Sequence, residues 1–237
     1  MKIKILNLNI YNYNTWKERK SKIVKFIQKH NPDLVVLQEI RDDVRFNKKG
    51  DNQAKQLNRE LNYPYYSFYS ITDKRKERPE QYNKYCREGI AILSKFPIVK
   101  IKKRMLKKHH ADRYSCGNLY IQLKVRNKKV DLLGVHFSNS ELTSLLHLIE
   151  TLKYLKKDKI NPIIVGDFNM FDFRLLRDLT EENWFSSRDY KKYTSYPPRR
   201  WTLDYILIPK KYKFNSFECS GKGLSDHRAL IAEVNLK

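Results

Sequence analysis

The strongest constraint on this chain is a design that repeats along it. A short apolar run of strand length stops on a polar residue suited to chemistry. Lys-Ile-Leu-Asn-Leu runs into Asn9, and Leu-Val-Val-Leu-Gln runs into Glu39. Leu-Leu-Gly-Val runs into His136, and Ile-Ile-Val-Gly runs into Asp167, with Asn169 just beyond. Ser225-Asp226-His227 immediately precedes the last apolar run. Runs this short, rich in Val, Ile and Leu, are strands rather than helices. Strands aligned in one sheet bring their ends to a common rim, where a binding cleft can form.

The remaining pattern sets the architecture. Strands are expected at 2–10, 33–38, 65–69, 90–94, 119–125, 130–137, 162–165, 204–208 and 229–234. Helices are expected at 16–30, 52–61 and 141–156. In the first, Ile23, Val24, Phe26 and Ile27 form an apolar stripe that Asn31-Pro32 ends; in the third, Leu142, Leu145, Leu146, Ile149 and Leu152 do the same. Strands with helices between and outside them imply a layered α/β domain. The excess of strands over helices suggests two sheets packed face to face. There is no repeat or low-complexity block, and with 7 glycines and 8 prolines no flexible linker, so residues 1–237 read as one domain. The polar segments 74–84 and 177–200 are expected to be surface loops that could grip a substrate; the second carries Trp184, Tyr190, Tyr193 and Tyr196.

Composition narrows the partner. With 49 Lys and Arg against 26 Asp and Glu, the net charge is +23. A field of that sign attracts polyanions, above all nucleic acid. An AT-rich coding bias would also enrich lysine, but it does not explain so few acids. No apolar run is long enough to span a membrane, and Asn7 and Asn9 interrupt the first run too early for a signal peptide. Cys86, Cys116 and Cys219 match no zinc-motif spacing and give no complete disulfide framework, so they read as structural or incidental and a cytoplasmic location is expected.

Gathered at one rim, Glu39, Asp167, Asp226, His136 and His227 would suit a hard cation with oxygen ligands, Mg²⁺ first and Mn²⁺ as a substitute. Each has an ordinary alternative: a solvated turn acid for Glu39, a helix cap for Asp-Phe-Asn, a satisfied core histidine for His136. Their shared position at strand ends favours the functional reading.

These residues also carry a family resemblance. Asn9, Gln38-Glu39, Glu88-Gly89-Ile90-Ala91-Ile92-Leu93-Ser94, Val135-His136-Phe137, Gly166-Asp167-Phe168-Asn169, Leu203-Asp204-Tyr205-Ile206 and Ser225-Asp226-His227 occur in that order across nearly the whole chain. Together they resemble the endonuclease/exonuclease/phosphatase superfamily, the fold of DNase I and exonuclease III. The resemblance implies a four-layered α/β sandwich, with two packed mixed β-sheets flanked by helices. It implies Glu39 as principal metal ligand, with Asn9 and Asp226 as direct or water-mediated ligands. Asp167 would orient or deprotonate the attacking water, Asn169 would position phosphate, and His227, oriented by Asp204, would stabilise the transition-state phosphate.

Where the abasic-site branch of the superfamily has Tyr, this chain has His136, which resembles the DNase I, sphingomyelinase and phosphatase branches. In DNase I-like members that His pairs with a Glu placed like Glu88, so a Glu88–His136 pair is expected. Arg113, Asn139, Arg200 and Trp201 are the expected substrate contacts, Arg199 joins the same lip, and Lys107, Lys108, His109 and His110 form a second basic edge. The expected activity is Mg²⁺-dependent hydrolysis of nucleic acid, DNA before RNA, by a monomer with no membrane partner. The alternatives are a phosphatase or phosphodiesterase for a nucleotide or inositol phosphate, a sphingomyelinase-like lipid enzyme, and a nucleic-acid-binding protein without catalysis.

Overall fold

Near-continuous apolar runs such as 34–37 and 163–165 give the central strands two buried faces, so each sheet must be covered on both sides. The structure, a computed structural model, describes residues 1–236. One sheet contains β1 (Lys2–Asn9), β2 (Leu34–Asp43), β3 (Tyr65–Asp73), β4 (Cys86–Ser94), β11 (Lys213–Ser220) and β12 (Ala229–Asn235) in the order β11-β12-β1-β2-β4-β3. The other contains β5 (Ile98–Met105), β6 (Gly117–Val125), β7 (Lys128–His136), β8 (Ile163–Asp167), β9 (Trp184–Ser186) and β10 (Asp204–Pro209) in the order β5-β6-β7-β8-β10-β9.

The two sheets share one plan. Each has a single parallel pair at its centre, β1 with β2 and β7 with β8, and antiparallel partners on both sides. A helix makes each parallel crossover: α1 (Trp16–His30) joins β1 to β2, and α4 (Glu141–Asp158) joins β7 to β8. The inner faces interdigitate through residues such as Ile5, Val36 and Ile90 on one sheet and Leu119, Leu132 and Val165 on the other. The outer face of the first sheet is covered by α1 and by α2 (Gln53–Leu61), with Leu8, Val35, Ile23 and Leu57 in one cluster. The outer face of the second is covered by α4 and by α5 (Phe173–Thr180), through Leu148, Leu155, Leu176 and Tyr205. The result is the expected four-layered α/β sandwich with two mixed sheets.

Several local expectations are corrected. All three unforeseen strands, β5, β9 and β11, lie at sheet edges. The β5 sequence IVKIKKRM is exposed along almost its whole length, so it carries the lysines of a guarded edge instead of an apolar signature. Segment 74–84 opens with a single helical turn, α3 (Lys74–Glu77), whose Lys74 is buried. Segment 177–200 is not a plain loop: it holds the end of α5, β9, a short α6 (Ser187–Tyr190) and a 3-10 turn at Pro197–Arg199.

On α4 the buried stripe is rotated from the expected one. Leu142 is 70% exposed, whereas Thr143, Ser144, His147, Leu148, Thr151 and Leu155 face inward. Polar pairs select that face: Ser144 Oγ donates to the Phe168 carbonyl, and Thr151 Oγ1 accepts from Asn118 Nδ2 at 2.8 Å. Hydrophobic periodicity does not register such pairs.

Candidate active site

The carboxyl ends of the central parallel strands open onto one rim, and the chemistry sits there. On β2 the pairing with β4 slips between Leu37 and Ile40, and Glu39 takes a left-handed φ of 55°. A bulge of this kind re-aims a side chain out of the sheet. Glu39 lines the cleft, with Oε1 accepting from Asn9 Nδ2 at 3.1 Å and Oε2 from Asn12 Nδ2 at 2.9 Å.

From the facing sheet, Asp167 ends β8 and His136 ends β7, directly paired in register. Asp167 Oδ2 accepts from Asn9 Nδ2 at 3.0 Å, so Asn9 links the acids of the two sheets. The Asn169 amide donates to Asp167 Oδ1 at 3.0 Å, and its own φ of 51° is left-handed. Asp167 Oδ2 also stands 3.9 Å from His136 Nε2 and 3.8 Å from His227 Nε2. Burial, then the neighbouring Asp204 carboxylate, pushes the Asp167 carboxyl above the usual carboxylate range, against the pull of the two histidines.

Asp204 opens β10 and His227 precedes β12, in opposite sheets. His227 Nδ1 lies 2.8 Å from Asp204 Oδ2. Burial opposes charge on this ring, but Asp204, Asp167 and Asp226 outweigh it and hold the imidazole well above its ordinary value. Asp204 is braced in turn: Asn7 Nδ2 donates to its Oδ1 at 3.3 Å, and Gln38 Nε2 donates to Asn7 Oδ1 at 2.8 Å. Ser195 Oγ accepts from the Asp204 amide at 3.0 Å. A polar chain therefore crosses the sandwich from Gln38 to His227.

The residues fit a hard divalent cation at Glu39 and Asp226. Both carboxylates line the same cleft, and the side-chain donors that bond Glu39 are neutral amides. Burial, and behind it the charge of Glu39, pushes the Asp226 carboxyl up, a tension that a cation between them would relieve. Asn9 points its oxygen at the Tyr11 amide, 3.0 Å away, so as oriented it steadies Glu39 with its N–H groups. Asp167, Asp204 and His227 also converge, with ligand atoms within 4.8 Å of one another. A histidine kept protonated by its carboxylate is not a metal ligand, so that cluster is better suited to moving protons and binding phosphate.

The expected Glu88–His136 pair is not formed. Glu88 lies opposite Arg41 in the β2–β4 register, and its carboxylate takes ion pairs from Arg41 and from Lys74, the latter at 2.9 Å. Burial would raise this carboxyl, but Lys74 and Arg41 overcome burial and hold it down at about 2. His136 is turned toward Asp167 instead. Arg113, Asn139 and Trp201 line the cleft. Trp201 is half-buried at the rim, stacked on Phe171 with centroids 4.8 Å apart. Arg199, not Arg200, borders the cleft, its guanidinium 4.8 Å from the Trp201 ring centre. Lys108 is tied to Glu77 at 2.7 Å.

Residues missed from sequence include Asn7, Asn12, Arg41, Lys74 and Ser195. Asn7 left a signal: it shares a strand face with Asn9 inside an otherwise apolar run. Arg41 and Lys74 left none, because their partner is set by strand register.

A two-sheet sandwich with an acid–histidine cluster across the rims of both sheets defines a class of phosphoester hydrolases. The model of the endonuclease/exonuclease/phosphatase family matches residues 6–227, and the chain belongs to that family. Among curated proteins, none matches the sequence. The chain is similar in fold to the human nocturnin catalytic domain with bound sulfate, at 20% identity and a TM-score of 0.75, covering 100% of this chain and 95% of that one. It is similar to a D. rerio TDP2 humanized by 14 mutations, at 15% identity and a TM-score of 0.70, with 99% of each chain covered. It is also similar to a mannosyl-6-phosphatase of Bacteroides thetaiotaomicron VPI-5482, at 15% identity and a TM-score of 0.68, covering 98% of this chain and 99% of that one.

Proposed function

We propose that this protein is a Mg²⁺-dependent phosphodiesterase that hydrolyses nucleic acid, DNA in preference to RNA. The observation that carries the chemistry is the buried Asp204–His227 pair standing 3.8 Å from the Asp167 carboxylate. A cation at Glu39 and Asp226, Mg²⁺ or Mn²⁺ in its place, would supply Lewis-acid stabilisation of phosphate charge. The His227 imidazolium donates to a phosphate oxygen, where negative charge grows in the transition state. Asp204 fixes the ring tautomer and orientation. Asp167, its proton affinity raised by burial, takes a proton from water as the water oxygen bonds to phosphorus. The ester P–O bond breaks on the opposite side. Asn169 holds Asp167 in position through its backbone amide, and His136 adds a second ring beside the same carboxylate oxygen.

The nucleic-acid half of the proposal rests on the net charge of +23 and on a rim that carries Arg113, Arg199 and Trp201. Arginines hold backbone phosphates and an indole stacks on bases. One observation favours a second reading, a phosphatase or phosphodiesterase for a small phosphorylated substrate: the cleft has a volume of about 690 Å³, within the range of small-molecule pockets. Incubation of plasmid, single-stranded DNA, abasic duplex, RNA and a small phosphomonoester with Mg²⁺ and with EDTA separates the two. Cleavage of the monoester alone selects the second reading and ends the first.

A further inference from the structure

Behind one wall of the catalytic cleft, which Cys116 itself lines, three side chains of metal-binding type converge under the connection between β5 and β6. Asp112 and Cys116 come from that connection and His147 from α4, and their ligand atoms lie within 4.8 Å of one another. His147 is fully buried, and the Asp112 side chain is 1% exposed.

The Asp112 carboxylate is poorly satisfied. Its Oδ2 accepts from the His109 amide at 2.7 Å and stands 3.5 Å from His147 Nε2. Its Oδ1 is buried and has no hydrogen-bond partner among the described residues. A buried carboxylate oxygen without a donor is costly, and a bound cation is one of the few ways to satisfy it. The neighbours of Asp112 in the cluster are a thiol and an imidazole, and among the described residues no lysine or arginine forms an ion pair with it.

We propose that Asp112, Cys116 and His147 hold a structural zinc ion, independent of the catalytic cation. Thiolate, imidazole and carboxylate together form a donor set for Zn²⁺, whereas Mg²⁺ takes oxygen ligands. His109 stands beside the cluster, its ring centre 5.7 Å from that of His147. Binding releases the Cys116 thiol proton. At His147 the metal takes the Nε2 position now directed at the Lys107 carbonyl, 3.1 Å away, and the ring proton moves to Nδ1. The contact from the Ser138 amide to Nδ1, already long at 3.4 Å, gives way. The cysteine spacing that argues against a zinc motif does not bear on this site, because its ligands are one cysteine, one aspartate and a histidine from a distant helix.

The consequence reaches the catalytic cleft. Arg113, Tyr114 and Ser115 lie between two of the ligands and line the cleft. Zinc would pin this rim to α4.

The test is metal binding by the full-length protein. Chelator-treated protein is dialysed against zinc and against cobalt, and bound metal is measured by mass spectrometry and by absorption. The expected result is equimolar zinc that survives dialysis and a cobalt–thiolate charge-transfer band. Both should be lost in Cys116→Ser and in Asp112→Asn and retained in Glu39→Ala. Zinc should also raise the melting temperature of the wild type but not of Cys116→Ser. Should Cys116→Ser fail to fold, Asp112→Asn and the wild-type cobalt spectrum decide. Absence of the thiolate band, or wild-type zinc binding by either ligand variant, overturns the proposal. So does zinc that is lost on Glu39→Ala and kept in Cys116→Ser.

Discussion

His227 Nδ1 and Asp204 Oδ2 meet at 2.8 Å across the seam between the two sheets, and both side chains are buried. Neither residue has its partner in its own sheet, so the pair exists only when the sandwich closes. If it orients the imidazolium toward phosphate, Asp204→Asn should lower kcat by about 10–100-fold, the range for a residue that steadies a catalytic group. His227→Ala should cost about 10²–10³-fold. The double variant should be little worse than His227→Ala, since the two act as a unit. Steady-state kinetics on the best substrate, with melting curves as a folding control, would expose independent, multiplicative losses.

Glu39 lines the cleft with only the neutral amides of Asn9 and Asn12 as side-chain donors. Glu39→Gln keeps the hydrogen-bonding shape and removes the charge. Turnover should fall by orders of magnitude, while affinity for DNA stays near that of the wild type. EDTA should have the same effect on the wild type, reversed by added Mg²⁺ or Mn²⁺. Full activity in EDTA, or near-normal turnover of the variant, would contradict the assignment.

Glu88 gives a pH-dependent prediction about stability. Its folded carboxyl is held at about 2, below the ordinary value of 4.5. The unfolded state therefore binds this proton first as pH falls. The stabilisation is complete above about 4.5 and is lost as pH drops toward 2. Urea melts of the wild type and Glu88→Gln between pH 7 and pH 3 should show the widest gap at neutral pH and a narrowing gap below about 4.5. A gap independent of pH would mean the ion pairs to Arg41 and Lys74 carry no linkage.

Binding to DNA should weaken steeply with salt. Arg113→Ala and Arg199→Ala should each reduce the slope of log affinity against log salt by roughly 0.9 if each holds one phosphate. Fluorescence titrations at several salt concentrations read this directly. A flat response would return the +23 charge to compositional bias.

Gly166 precedes the catalytic aspartate at a point where no side chain fits. A Cβ there would lie 2.0 Å from the Val135 carbonyl oxygen on the paired strand. Gly166→Ala should destabilise the protein by more than the ~0.5–3 kcal/mol of an ordinary substitution, measured by chemical denaturation.

Much of the fold was legible because central strands and crossover helices announce themselves by apolar pattern. Three of the four edge strands did not: β5 and β11 are largely exposed and carry charge, and β9 is only three residues long. On α4 the leucines suggested one face, and hydroxyl and imidazole contacts chose another. Most of the site was visible for a related reason. A polar residue that ends an apolar strand must either meet solvent or be used, and Glu39, His136 and Asp167 all end such runs.

The sequence by itself determined a layered α/β domain and the placing of acids and histidines at strand ends, and the motifs at those ends carry the resemblance that implied the four-layered class and the family. Local pattern suffices for the first two, since an apolar run shows where each strand stops. Only the tertiary structure decided the partners. Glu88 meets Arg41 because of cross-strand register and meets Lys74 because α3 folds back over β4, so the pairing expected with His136 is replaced. Asn9 joins Glu39 to Asp167, and Asp204 meets His227 as the resemblance implied, because two sheets pack face to face. Contacts between residues far apart in the chain are set by packing, and packing is a property of the whole sandwich, not of any segment of it.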